Sequence, residues 1–260
     1  MTKRLLKANA MLVAGLALSI GGYLFAKGCA DFAEIWRAHS AQLGALCCNT
    51  AMVVCASTLI ATAMSLPAAL GIVGWLSRRS RIGRVIFALV DLGGALPAIT
   101  WGLFGFALFC QQHASLRAGT LTLAFMLAPT LIAGFVAALR EVDSSLVESA
   151  TALGLPRGVV ILRVLVPASR SGLVATVMTG MGRALGDAAV LYFTAGTAPR
   201  LAGAFLEHSG ATLAVRVYHL GTEKSGATGE AFAIAAILFV LSLGAQAALA
   251  TFSNQRKEPT

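Results

Sequence analysis

From Arg140 to Arg170 the chain reads REVDSSLVESATALGLPRGVVILRVLVPASR, between an apolar run at roughly 117–139 and another at roughly 171–195. The stretch is too polar to span a bilayer, yet its composition is not that of a disordered segment. ESATALG sets small and apolar residues at helical spacing, and Gly154 with Pro156 then forces a break. A second short helical segment is expected to run to Pro167. Such a helix–turn–helix lies on a membrane face, a shape suited to docking in a partner's groove.

The whole composition agrees with a membrane setting. Of 260 residues, 57% are hydrophobic and only 12% charged, with a mean hydropathy of +0.80. Soluble domains carry about 25% charged residues, so this chain cannot clothe a soluble globule. Six apolar runs, at about 8–26, 45–76, 85–112, 117–139, 171–195 and 229–251, approach or exceed the ~20 residues a spanning helix needs. The second contains Pro67. The third contains LGGALPA (Leu92–Ala98), which predicts a re-entrant or interfacial lead-in before Pro97. The first run follows Lys3, Arg4 and Lys7 but has a poor cleavage site after it, and reads as a retained anchor.

The formal charge of +9 is a topology signal rather than a nucleic-acid footprint. With both termini cytoplasmic, thirteen Lys and Arg fall inside, and Lys27, Arg37, Arg117, Arg200, Arg216 and Lys224 fall outside. The inner excess also suits anionic membrane lipid. The five cysteines show no metal spacing; a link between Cys29 and Cys47 on the outer side stays open. His39, His113, His208 and His219 fall in expected outer loops as solvated side chains, again without metal spacing. Asp91 is read as an anchor of the broken third run.

The loop quoted first carries a family resemblance. Glu148-Ser149-Ala150, Gly154, Val164, Val166 and Pro167 fall in register with the EAA motif of ABC importer permeases: E-A-A, three residues, G, nine residues, I-x-L-P. Ser149 and the two valines are conservative departures. LPAITWGLFGFALF (Leu96–Phe109) and GRALGDAAVLYFTAG (Gly182–Gly196) are similar to segments of the PstA-type permeases of phosphate ABC importers, with Asp187 and Ala188 where that family has Glu and Thr. The match covers roughly 45–252. It implies an all-α integral membrane protein with about six transmembrane helices and the type I (MetI-like) importer permease fold. Residues 1–44 would be an anchor helix with an external segment, 45–252 the permease domain, and 253–260 a cytoplasmic tail in the bacterial inner membrane. The loop around Glu148, Ser149, Ala150, Gly154 and Pro167 would couple to an ABC ATPase dimer. A second, PstC-like permease and an external phosphate-binding protein are implied as partners.

Arg183 and Asp187 are the charges of the fifth run. At i, i+4 on one helix they share a face and are expected to form a salt bridge, with Gly182 and Gly186 allowing close helix approach. A mutually neutralised packing pair is one reading. The other, which the resemblance favours, puts both on the substrate path, where a guanidinium fork suits a tetrahedral oxyanion and Asp187 keeps binding weak enough for release. Thr194, Thr197 and Gly196 read as a polar helix end.

Other functions lack their chemistry. No G-x-x-x-x-G-K-[ST] is present, so ATP is expected on a separate subunit and no cofactor on this chain. GMGRALG has the wrong spacing for a dinucleotide turn and follows no strand. An ion-driven secondary transporter would show internal repeats and charges in several runs. An intramembrane serine protease would need a histidine within a run as base. Within the importer class, phosphite, phosphonate, sulfate or molybdate are the alternative cargoes.

Overall fold

The computed structural model describes residues 2–76, 80–110, 113–201, 207–223 and 228–254, apart from the side chains of 2–10, 13–14, 17, 29–36, 38–39, 228 and 248–254. Every regular element among them is helical: α1 (Thr2–Trp75), α2 (Arg81–Ala95), α3 (Ala98–Phe109), α4 (Leu116–Arg140), α5 (Ser144–Ala152), α6 (Arg157–Val160), a π turn (Ile161–Leu165), α7 (Val166–Gly186), α8 (Ala189–Thr194), α9 (Leu213–Glu223) and α10 (Thr228–Asn254).

The core is built around α4, which packs against α1, α2, α3, α7 and α8. Leu123, Leu127, Leu131 and Phe135 are fully buried along it, one per helical turn. Ser115 starts the helix by accepting the Ala118 N–H at 3.2 Å. The facing stripe of α1 follows the same period through Leu46, Val53, Ser57, Ala61, Ser65, Ala69 and Ile72. Ser65 adds a cross-helix bond, donating its hydroxyl to the Ala128 carbonyl at 3.1 Å. Pro67 sits within α1 without ending it.

Four stretches are long and apolar enough to cross a membrane: Ser40–Trp75, Leu116–Arg140, Arg157–Gly186 and Gly229–Ala247. A fifth is the pair α2 and α3, bent by 98°. The bend falls where a lead-in before Pro97 was expected. Leu96, just before the proline, is extended (φ −61, ψ 135), because Pro97 disfavours the helical region for the residue preceding it. The expected first span, 8–26, lies in the N-terminal part of α1 and is not among these candidates; many side chains there lie outside the described ones. The intervening stretch 27–44, expected as an external segment, is helical too. That part of α1 packs on α10 through glycines. A Cβ on Gly28 would stand 2.9 Å from Ala236, and one on Gly21 would collide with the Phe239 ring. The tail at 255–260, Arg78, Arg79 and Lys224 lie outside the described residues.

Two boundaries differ from expectation. The helical segment after Pro156 does not end at Pro167 but runs on through α7, so the span begins at Arg157. The π turn explains this: Val166 N–H bonds the Ile161 carbonyl five residues back, a wider turn that absorbs the missing N–H of Pro167 without breaking the helix. At the other end, the run expected to 195 breaks after Gly186, and α8 starts as a separate short helix.

Candidate functional site

The loop expected to dock a partner connects α4 to α7. Asp143 opens α5 by accepting the Ser145 N–H at 3.0 Å, and that bond holds its carboxyl below the usual carboxylate range. Glu148 and Ser149 are exposed while Ala150, at 7% exposure, packs inward. The chain then reverses at Gly154, whose φ of +77 lies in the left-handed region that favours glycine. The Gly154 N–H bonds the Thr151 carbonyl at 2.9 Å and the Leu155 N–H bonds that of Ala150 at 3.4 Å, closing α5. Pro156 then sits at the N-terminal boundary of α6. Pro167 is exposed near the start of α7, and Leu146, Leu153 and Leu162 stand 50%, 81% and 63% exposed on this surface. A cavity of about 460 Å³ separates the loop from the ends of α1 and α4, lined by Gly74, Arg140, Glu148 and Arg157 among others.

In the membrane interior, α4 and α7 approach closely. A Cβ on Gly172 would lie 2.7 Å from Ala138, one on Gly134 2.5 Å from Thr176, and one on Gly180 2.9 Å from Leu131. These contacts run antiparallel along the pair and end at Arg183, whose Nη1 donates to the Thr130 hydroxyl at 2.9 Å. The glycines expected to do this, Gly182 and Gly186, instead have nothing within 4 Å of a Cβ position. They leave open space beside the arginine, which is itself exposed. The true contact glycines, Gly172 and Gly180, are eight residues apart on one helical face; that spacing was the available signal.

Arg183 and Asp187 do not pair. Carboxylate contacts of this kind lie elsewhere: Arg216 Nη2 is 2.7 Å from Glu230, and His219 Nδ1 is 2.9 Å from Glu223. The reason is local: α7 ends at Gly186, so Asp187 (φ −82, ψ 99) leaves the helical face it would share with Arg183. It stands just before the boundary residue Ala188, and its Oδ1 accepts the Val190 N–H at 3.0 Å in the first turn of α8. The i, i+4 expectation assumed a continuous helix.

On the opposite side of the molecule, loops 195–200 and 207–212 are tied together. Gly210 N–H bonds the Ala195 carbonyl, Ala211 N–H that of Ala198, and buried Asn49 donates to the Arg200 and Ala211 carbonyls at 2.8 and 3.0 Å. They frame a cavity of about 700 Å³ with His113, Thr197, Arg200 and His208 in its lining. Thr194 is buried and donates to the Val190 carbonyl, ending α8. His113 and His208 are exposed as expected, but His219 is not a solvated loop residue: it lies on α9, 19% exposed, paired with Glu223 at 2.9 Å. His39 and Cys29 have side chains outside the described ones, and Cys47 is a free thiol. Asp91 is exposed on α2, whose caps are Ser80 and Leu96, so it does not anchor the bend by capping. Arg216, counted among outer charges, is 7% exposed and held by Glu230 at 2.7 Å.

Residues 50–256 match the family described as binding-protein-dependent transport system inner membrane component. The chain is 32% identical over 183 residues to a phosphate transport system permease protein PstA homolog of Mycoplasma pneumoniae, covering 65% of this chain and 27% of that protein. It is 28% identical over 236 residues to the phosphate transport system permease protein PstC of Mycobacterium leprae, covering 79% of this chain and 74% of that protein. A PstA of Pasteurella multocida is 32% identical over 149 residues, 56% of this chain and 53% of its own length. In fold, the chain superposes on the MetNI methionine ABC transporter in an inward-facing conformation with a TM-score of 0.66 at 19% identity, covering 81% of this chain and 94% of that one. An amino acid ABC transporter gives 0.65 at 18% identity, over 83% and 94%.

Proposed function

The chain belongs to the binding-protein-dependent transport system inner membrane component family, and from that membership we propose that it is one of two membrane subunits of an importer for inorganic phosphate. The observation that carries the cargo is the similarity to PstA and PstC permeases along most of the chain. The exposed, partly unspent guanidinium of Arg183 between α4 and α7 is chemically suited to an oxyanion.

The remaining parts follow from this reading. The surface around Glu148, Ser149, Ala150, Gly154 and Pro167 docks a separate ABC ATPase dimer, which binds the ATP that this chain has no motif to hold. A PstC-like second permease completes the pathway, and an external phosphate-binding protein delivers the anion to the face carrying Arg200 and His208. The chain is a multi-pass protein of the bacterial inner membrane with both termini cytoplasmic. Residues 1–44 form an accessory anchor, 45–252 the permease and 253–260 a tail. Arg183 contacts the anion, and Asp187 lines the path beside it.

Proteoliposomes holding the complete complex test the proposal. Uptake of radiolabelled phosphate should require ATP and the external binding protein, and excess unlabelled phosphate should compete. Competition by sulfate or molybdate, with none by phosphate, would replace the cargo. Arg183→Lys tests the site: it keeps a charge but loses the planar fork, and uptake should fall sharply in a well-assembled complex. Wild-type uptake by Arg183→Lys would make Arg183 scaffolding.

A further inference from the structure

We propose that Thr130 is a second anion ligand of the Arg183 site, its hydroxyl donating to the oxyanion while Arg183 holds that hydroxyl in place. The inference rests on the reading of Arg183 as an anion contact. A hydroxyl has one hydrogen to donate and two lone pairs to accept with. Helical threonines usually turn the hydrogen back along their own helix. Thr120 and Thr122 on the same helix donate to the Leu116 and Ala118 carbonyls at 2.7 and 2.8 Å. Thr176 and Thr179 on α7 donate to those of Gly172 and Ala175, both at 2.9 Å.

Thr130 departs from this pattern. Its oxygen accepts from Arg183, and among the described residues its hydrogen goes to no protein acceptor. A hydroxyl whose lone pair is engaged by a guanidinium is polarised and presents its proton outward. Thr130 is only partly buried, and the space beside Arg183 is kept open at Gly182 and Gly186. One of the guanidinium's five N–H donors is spent on Thr130, leaving the others for a ligand.

The result pairs a guanidinium and a hydroxyl donor for the unprotonated oxygens of a tetrahedral oxyanion, with the Asp187 carboxylate of the same path beside them. The bond also fixes the arginine rotamer, so less freedom is lost when the anion arrives. The close glycine packing of α4 on α7 makes the arrangement possible, because it brings a short threonine within reach of an arginine on the neighbouring helix.

The test compares Thr130→Val, which keeps the shape and removes the hydroxyl, with Thr130→Ser, which restores it. Both are measured in the full complex at saturating phosphate-loaded binding protein, as phosphate moved per ATP hydrolysed. Loss of one hydrogen bond to a charged group predicts about a tenfold fall for Thr130→Val. Binding-protein-stimulated ATP hydrolysis should persist, and Thr130→Ser should return most of the transport. A merely structural threonine would lower hydrolysis and transport together. Should Thr130→Val fail to assemble, Thr130→Ala carries the same arm. Wild-type transport by the hydroxyl-free variant, or Thr130→Ser as impaired as Thr130→Val, overturns the assignment. If Arg183→Lys is impaired while Thr130→Val is normal, only the threonine's role falls; if Arg183→Lys is also normal, the site itself falls.

Discussion

Asp187 shows how one broken turn redirects a charge. Its carboxylate accepts the Val190 N–H in the first turn of α8, rather than forming a salt bridge with Arg183. A capping oxygen of this kind is worth about 1 kcal/mol, and asparagine supplies one as well as aspartate does. Asp187→Asn should therefore leave thermal unfolding of the assembled complex unchanged, while Asp187→Ala lowers its midpoint. Equal midpoints for the two variants would remove the capping role. Arg183→Lys belongs at the same scale. Lysine can still reach a hydroxyl acceptor, so its effect on uptake isolates the value of the planar fork.

Among the elements, the α5–α6 loop and the α4–α7 seam make opposite demands on glycine. Gly154 is needed for its backbone: at φ +77, a β-branched residue is strained, at about 1–2 kcal/mol. Gly154→Val should distort the surface carrying Leu153 and Leu162 while the spans still insert. Stimulated ATP hydrolysis and transport should be lost together, and full transport by a stably expressed variant would count against ATPase docking there. Gly134 and Gly180 are needed for their missing side chains, since a Cβ at either would press on the facing helix. Gly180→Val should destabilise the complex by about 1–3 kcal/mol through overpacking. Gly182→Ala, facing open space, should be neutral in the same unfolding assay. A matching loss from Gly182→Ala would mean that its open side is filled by a partner.

Across the whole molecule, the proposed orientation places the α5–α6 loop in the cytoplasm and the loops around Asn49, Arg200 and His208 outside. Cys48 and Cys55 are exposed, so labelling needs a background with the native thiols replaced. A cysteine at Arg157 should then react only from the cytoplasmic side, and one at His208 only from outside. Reaction of both from the same side would break the topology. The buried Arg216–Glu230 pair lies on the same side as His208, tying α9 to the start of α10.

Much of this was legible in the residues themselves. Low charge and long apolar runs required a membrane, because burial in lipid is the one way to satisfy so apolar a surface. Gly154, Pro156 and the bend before Pro97 were readable because glycine and proline act on their own backbone, whatever surrounds them. The helix breaks at Asp187 and the absence of one at Pro167 were not readable. Both turn on which hydrogen bond wins locally: a carboxylate that can cap one helix rather than pair across another, and a π turn that tolerates a proline. The partner of Arg183 was beyond the sequence altogether. Thr130 lies 53 residues away, and only the close packing of α4 on α7 brings its hydroxyl to the guanidinium.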